Sequence, residues 1–439
     1  MNLDYNLPAS SIAARPTPER DGSRLLSFAA PSPSAVPSAA PSPSDHQFTD
    51  LPGLLPAGSA LWTNETRVLR ARLYGRKPTG GSVELLLLDP DELSVEQAMS
   101  VHSSCVWYVM IGGAKRWKTG DLTFDFEAAQ VATDAPDASD APANLDLTAR
   151  RLPEKNGRFR VDFRWTGGQS FGEILETAGT IPLPPYMNRH SDEEDSTRYQ
   201  TLFAKHLGSV AAPTAGLHFS KDVLQSIAQR KITSHHVTLH VGIGTFKPVS
   251  GPLDEHVMHA ERCELSPEAL DALIAKPERT VVGTTTLRTL ESAYWLACLT
   301  RSSSETSATA KEVPHEAARE AARAAVIAGR QAHIPQWIHR QNLPEYETYE
   351  DAIADLRELA QGQTIRFSTE IMIVPGYKIR STSRLVTNFH MPGSTLLCII
   401  EAAVGPSWRD AYAHAVASGY RFLSYGDACL LNFQSAADL

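Results

Sequence analysis

SKDVLQSIAQRKITSHHVTLHVGIGTF, residues 220–246, holds one helix and one strand in immediate succession. Val223, Leu224, Ile227 and Ala228 recur at helical spacing behind Ser220, a residue type that caps helices by accepting from a first-turn amide. Past Lys231 the period changes. Val237, Leu239 and Val241 alternate with His236, Thr238 and His240, which gives a strand with one apolar face and a polar ladder ending at Gly242 and Gly244. Ligands of open α/β sheets sit where strands end, so His240 is either a site residue or an ordinary satisfied histidine.

The preceding stretch, Pro182 to Phe219, packs unusual residue types into a short span. Gly208, Pro213, Gly216 and the alanines 211, 212 and 215 let a backbone approach a ligand, with Thr214 and His218 beside it; a plain connecting loop has the same composition. Downstream, VVGTTTLRTLESA reads as a buried strand to Gly283, a hydroxyl-rich turn at Thr284–Thr286 and a helix carrying Arg288 and Glu291. EIMIVPGY and RLVTNFHMPGSTLLCIIEAAVG add a strand ending near His390, a Pro392–Gly393 turn and a helix from Ser394. Between them, residues 300–365 begin polar, become Ala-rich and read as a helical insertion.

From Val68 to Ile181 the pattern differs: VELLLL, SCVWYVMI and GRFRVDFRW are short β-rich runs separated by Gly, Pro and acidic loops. The expected architecture is therefore a larger α/β domain with an inserted small β-barrel domain. Residues 1–67 form its first part, 68–181 the barrel and 182–439 the main part. Residues 31–44, with five Pro and five Ser, read as a disordered loop, and 128–147 as a loop extended by Ala, Asp and Pro.

The 439 residues, 42% hydrophobic and 21% charged, fit a globular protein with a sizeable core. No run approaches the roughly 20 apolar residues of a membrane span, and the start lacks a signal pattern, so the cytoplasm is expected. Five scattered cysteines suggest free thiols in a reducing compartment. His256, His259 and Cys263 have metal-like spacing without an evident fourth ligand, and no metal is expected. A net charge of −9 argues against bulk-charge binding of nucleic acid, yet seven acids and no Lys or Arg lie between Asp121 and Asp146, leaving the remainder nearly balanced. Arg67, Arg70, Arg72, Arg76 and Lys77 put five cations into 11 residues, an RNA-facing edge or a row of solvated strand charges.

RYQTLFAKHLGSVAAPTAGLHF (198–219), HVGIGTFKPV (240–249), EHVMHAERCEL (255–265), Arg20 to Leu26 and Tyr425 to Asp427 together resemble the S-adenosylmethionine:tRNA ribosyltransferase-isomerase family of queuosine biosynthesis. The resemblance implies the same architecture, an α/β domain interrupted by a β-barrel. It also implies a reaction in which the ribosyl part of S-adenosylmethionine, as co-substrate, is transferred to 7-aminomethyl-7-deazaguanine in the anticodon of tRNA and isomerised. Epoxyqueuosine-tRNA, adenine and methionine are the products, by a monomer and without metal. On motif position, His218 and His240 are the acid/base candidates, with Asp195, Glu261 and Asp427 behind them; Thr214, Gly216, Thr285 and Asn388 are candidates for holding the co-substrate. Arg67, Arg70, Arg72, Arg76 and Arg198 are the RNA-binding candidates. Glu65 stands where the family has Asp and Gly393 where it has Lys, which keeps a non-catalytic or altered-substrate tRNA-binding paralogue as the alternative. A methyltransferase fits less well, because no GxGxx loop follows an early strand.

Overall fold

The structure is a computed structural model that describes residues 3–30, 42–124, 145–242, 251–301 and 316–433. The glycine turn at 244, most of the Pro/Ser run and most of the acidic loop lie outside the described residues. The described end of the Pro/Ser run is ordered, since Ser44 begins a strand and pairs with Ser27.

In chain order the strands are β1 (Arg24–Ala29), β2 (Ser44–Gln47), β3 (Ala60–Asn64), β4 (Thr66–Val68), β5 (Arg72–Arg76), β6 (Ser82–Pro90), β7 (Ser104–Ile111), β8 (Leu122–Thr123), β9 (Leu147–Lys155) and β10 (Arg158–Trp165). Then follow β11 (His206–Ser209), β12 (Thr233–His240), β13 (Glu261–Leu265), β14 (Arg279–Val282), β15 (Gln331–Ile334), β16 (Ile365–Thr369), β17 (Arg384–Asn388) and β18 (Ala428–Asn432). The chain divides into two compact units: Met1–Thr66 with Thr201–Ala204 and Pro213–Leu439, and Arg67–Gln200 with Lys205–Ala212.

The second unit contains a closed antiparallel barrel in the order β10-β7-β6-β5-β8-β9. Alternation explains it: Leu85 and Leu87 on β6, Cys105, Trp107 and Val109 on β7, and Val161 and Phe163 near the end of β10 are buried. The helix Phe171–Ala178, closed at its start by a reciprocal Ser170/Glu173 cap, sets Phe171 against Trp107, Phe163 and Trp165 at 5.3 to 5.6 Å between ring centres.

The first unit is built on a mixed ten-stranded sheet, β15-β16-β13-β12-β3-β14-β17-β18-β1-β2. Its central four strands, β12, β3, β14 and β17, are mutually parallel. Mixed α/β with a closed barrel is thus the fold class expected from the sequence. The helix Lys221–Gln229 and strand β12 fall where the periodicity places them, with Ser220 accepting from the Val223 amide at 3.1 Å.

Two local expectations change. Thr284–Thr286 is not a turn but the first turn of the helix Thr284–Thr300, all 17 residues of which are buried. Burial on every side outweighs the weak helix preference of three successive threonines. The 300–365 stretch, expected to be helical, holds the helices Glu316–Ile327 and Tyr349–Leu359 but also β15, which runs parallel to β16 at the sheet edge.

Inside the long helix, Glu291 carries a fully buried charge made tolerable by four donors: the Tyr377 hydroxyl, the Ser381 hydroxyl and amide, and the Arg380 amide, at 2.6 to 2.9 Å. All five cysteines are free and buried. Among the described residues no helix is long and apolar enough to cross a membrane.

Candidate active site

Because β3, β12, β14 and β17 run the same way, their carboxyl ends share one edge of the sheet. The antiparallel neighbours β13 and β18 begin at that edge, and so does β1. Asn64, His240, the helix start at Thr284, Asn388, Glu261, Asp427 and Ser23 are therefore gathered from seven distant parts of the chain.

One network centres on Asn388. Its Nδ2 donates to the Leu423 carbonyl at 3.2 Å, and since a carbonyl can only accept, the amide orientation is determined. The same Nδ2 lies 3.1 Å from His218 Nε2, which must then accept; the ring proton sits on Nδ1 and is donated to Ser23 Oγ at 2.9 Å. Thr214 Oγ1 donates to Asn388 Oδ1 at 2.9 Å. His218 is buried beside Phe48, and desolvation, with a smaller repulsion from Arg421, pushes its pKa down to about 3. A neutral imidazole with both nitrogens engaged is built to hold a loop rather than to exchange protons at neutral pH.

The second network surrounds His240. Asn64 acts as a surrogate peptide group: its Oδ1 accepts from the Leu239 amide and its Nδ2 donates to the Leu239 carbonyl, at 3.1 and 2.9 Å. Oδ1 also accepts from the Thr66 amide at 3.1 Å, turning the chain so that Thr66 Oγ1 meets His240 Nδ1 at 3.1 Å. Asn64 Nδ2 further reaches Thr285 Oγ1 at 3.5 Å. His240 is half-buried, at the carboxyl end of its strand, after three buried residues. Just beyond it, Glu261 Oε1 accepts from the Gly242 amide at 3.0 Å while Oε2 is paired with the buried Arg288.

Asn64→Asp should therefore lower unfolding stability by about 2 kcal/mol, because a carboxylate cannot donate to the Leu239 carbonyl and turns that contact repulsive. Urea unfolding of variant and wild type measures it.

The carboxylate candidates thus sort by their donors. Glu261 holds the Gly242 amide, two residues past His240. Asp427 accepts from the Arg24 and Arg421 amides at 2.9 and 2.8 Å and ties the start of β1 to the loop before β18. Asp195 belongs to the second unit, where it is fully buried and held bidentately by Arg189 at 2.6 and 2.8 Å while closing the start of the helix Glu193–Arg198. Gly216 is required by packing, since a Cβ there would stand 2.9 Å from Thr201 Cγ2. The metal-like trio does not converge in environment: Cys263 is buried and contacts Thr289 Oγ1, whereas His259 is exposed.

Of the five arginines expected at RNA, Arg70 pairs with Glu176 at 3.3 Å, Arg72 with Glu84 at 3.0 Å and Arg198 with Glu194 at 3.7 Å. Arg67 and Arg76 are exposed, with no carboxylate partner among the described residues.

A protein-family model described as queuosine biosynthesis protein matches residues 1–321 and 346–431. The chain belongs to the queuosine biosynthesis protein family. S-adenosylmethionine:tRNA ribosyltransferase-isomerase of Xanthomonas oryzae pv. oryzae is 36% identical, over 98% of this chain and 96% of that one. The enzyme of the same name from Anaeromyxobacter dehalogenans is also 36% identical, over 98% of both chains. A crystal structure of S-adenosylmethionine tRNA ribosyltransferase from Thermotoga maritima aligns with 98% of this chain and 99% of its own at 22% identity and a TM-score of 0.42.

The queuosine family model leaves residues 322–345, inside the 300–365 stretch, unmatched. At the departure from the family pattern, Gly393 has φ +66 and its amide bonds the Leu3 carbonyl at 3.0 Å. That left-handed conformation suits glycine and strains a lysine, so the backbone here has settled on the residue present. Ser23, Asn64, Thr66 and Arg288 were not singled out as site residues. Asn64 and Thr66 could have been, because they flank Glu65, the position already compared with the family pattern.

Proposed function

We propose that this chain transfers and isomerises the ribosyl part of S-adenosylmethionine onto 7-aminomethyl-7-deazaguanine at the tRNA wobble position, releasing adenine and methionine and leaving epoxyqueuosine. The observation that carries the reading is the gathering of two polar networks at one carboxyl edge of the parallel strands, in a chain about 36% identical along its length to enzymes with that name. The sulfonium of the co-substrate acidifies its C5′ hydrogens. In this reading His240, whose Nδ1 meets Thr66 Oγ1, takes such a proton and later returns one as adenine leaves.

The start of the helix Thr284–Thr300 carries no side-chain cap, which leaves first-turn amides for a carboxylate such as that of the methionyl group. Thr214 and Asn388, oriented by His218, suit hydroxyl groups of the ribose. Glu261, Asp427 and Asp195 act through the backbone they hold.

The test is product identity, with S-adenosylmethionine and tRNA carrying the 7-deazaguanine precursor. Adenine and methionine released in equal amounts, dependent on that tRNA, are the expected result. S-adenosylhomocysteine would make the chain a methyltransferase, and no product at all would make it a binding paralogue.

A further inference from the structure

The second unit carries a cationic groove that none of the site residues described above accounts for. It has a volume of about 600 Å³ and is lined by Lys115, Lys118, Arg151, Leu152, Pro153 and Phe159, together with Ala114 and Glu154. Its arginine is pre-set. Arg151 Nη1 donates to the carbonyls of Ala114 and Trp117 at 3.3 and 2.9 Å, Nη2 pairs with Glu154 at 3.0 Å, and the guanidinium lies over the Phe159 ring at 4.4 Å from its centre.

Glu154 is thereby spent. Lys115 and Lys118 are exposed and have no carboxylate partner among the described residues. The cationic character continues beyond the groove: Lys77 Nζ donates to the Arg116 carbonyl at 3.2 Å, and Arg76 on β5 is exposed. Three of the arginines expected to meet RNA are already neutralised by glutamates, whereas these lysines are not.

We infer that this groove binds an unpaired nucleotide segment of the tRNA substrate, with phosphates on Lys115 and Lys118 and a base against the surface made by Leu152, Pro153 and Phe159. The chemistry fits one class of ligand. A cationic rim beside an aromatic and apolar floor is how proteins hold single strands, since every base has a face to stack and every nucleotide a phosphate. A volume of this size gives room for a nucleotide laid along an open groove. A double helix presents neither free base faces nor a shape that enters such a groove. The inference rests on the proposed tRNA-modifying function.

The experiment compares wild type, Lys115→Ala/Lys118→Ala and Phe159→Leu, using an anticodon stem-loop RNA as the binding probe and adenine release from full-length precursor tRNA as the activity. The lysine variant should bind the stem-loop about tenfold more weakly, with its log K against log salt slope shallower by about 1.4, the contribution of two single-strand phosphates at ~0.7 each. Phe159→Leu should weaken binding with the salt slope unchanged, because it removes the aromatic support of Arg151 and part of the apolar floor but no charge. KM for S-adenosylmethionine should stay as in wild type for both. Unchanged affinity and slope in the lysine variant, with wild type fully active, would overturn the groove while leaving the proposed function standing. A wild-type chain that neither binds the stem-loop nor releases adenine would overturn both, and in that case the failure belongs to the functional reading.

Discussion

His240→Gln folds as wild type, binds S-adenosylmethionine with unchanged affinity and loses turnover by about 10²-fold or more, the scale on which a general acid or base contributes. Gln retains much of the size and one hydrogen-bonding group for Thr66 Oγ1 but cannot exchange a proton near neutral pH. Half-burial at the end of β12 means that little packing is lost, so stability should change by less than about 1 kcal/mol. A companion variant, Thr66→Val, keeps the imidazole and removes its orienting hydroxyl; it should lower kcat with only a small change in KM. Single-turnover adenine release read beside thermal melting separates these effects. If His240→Gln lowered the melting temperature while the folded fraction turned over normally, His240 would be a structural residue and the proton transfer would have to be sought elsewhere at this edge.

The second large effect is loss of stability in mild acid. His218 and His390 are both buried, and burial pushes each pKa down to about 3 from an ordinary 6.5, with Arg421 adding to the shift at His218. Unfolding releases each ring to take up a proton that the folded state refuses. The stabilisation by neutral histidine is therefore complete above pH 6.5 and is lost progressively as pH falls from 6.5 toward 3.

Each group contributes a slope that starts at about half of 1.4 kcal/mol per pH unit at pH 6.5 and approaches that value below, so the pair should remove about 3 kcal/mol between pH 6.5 and 5. At His218 the bonding adds to the burial, since a proton on Nε2 would face the Asn388 amide, itself a donor. At His390 burial alone acts, because Thr387 Oγ1, 2.9 Å from Nε2, can donate or accept. Urea unfolding at pH 7, 6.5, 6, 5.5 and 5 measures the slope, and His390→Gln should flatten it by about half. A wild-type slope near zero over that interval would show that these rings are solvated and titrate normally.

Much of the fold was legible because it depends on local periodicity. The helix after Ser220, the alternation of β12 and the β-rich block that closes into a barrel each follow from residue spacing within some 10 to 30 positions. β15 was not legible: Gln331–Ile334 is four residues long with two exposed, and only its pairing with β16 makes it a strand.

At the site the division has a different cause. Which residue types gather near the strand ends could be read from HVGIGTF and RLVTNFH as motifs. What each would do could not, because the role of a titratable group depends on the donors and the desolvation around it, and those come from afar. Ser23 and Asn388, 195 and 170 positions away, engage both ring nitrogens of His218. Arg189 makes Asp195 a buried structural carboxylate, and Glu176 and Glu84 neutralise two arginines that looked free.

The sequence by itself determined most of the longer elements, the class of fold and the family, since these rest on patterns short enough to survive in one dimension. The tertiary structure alone decided which histidine stands half-open at the edge and which is sealed, because burial and hydrogen-bond partnership are properties of the packed chain.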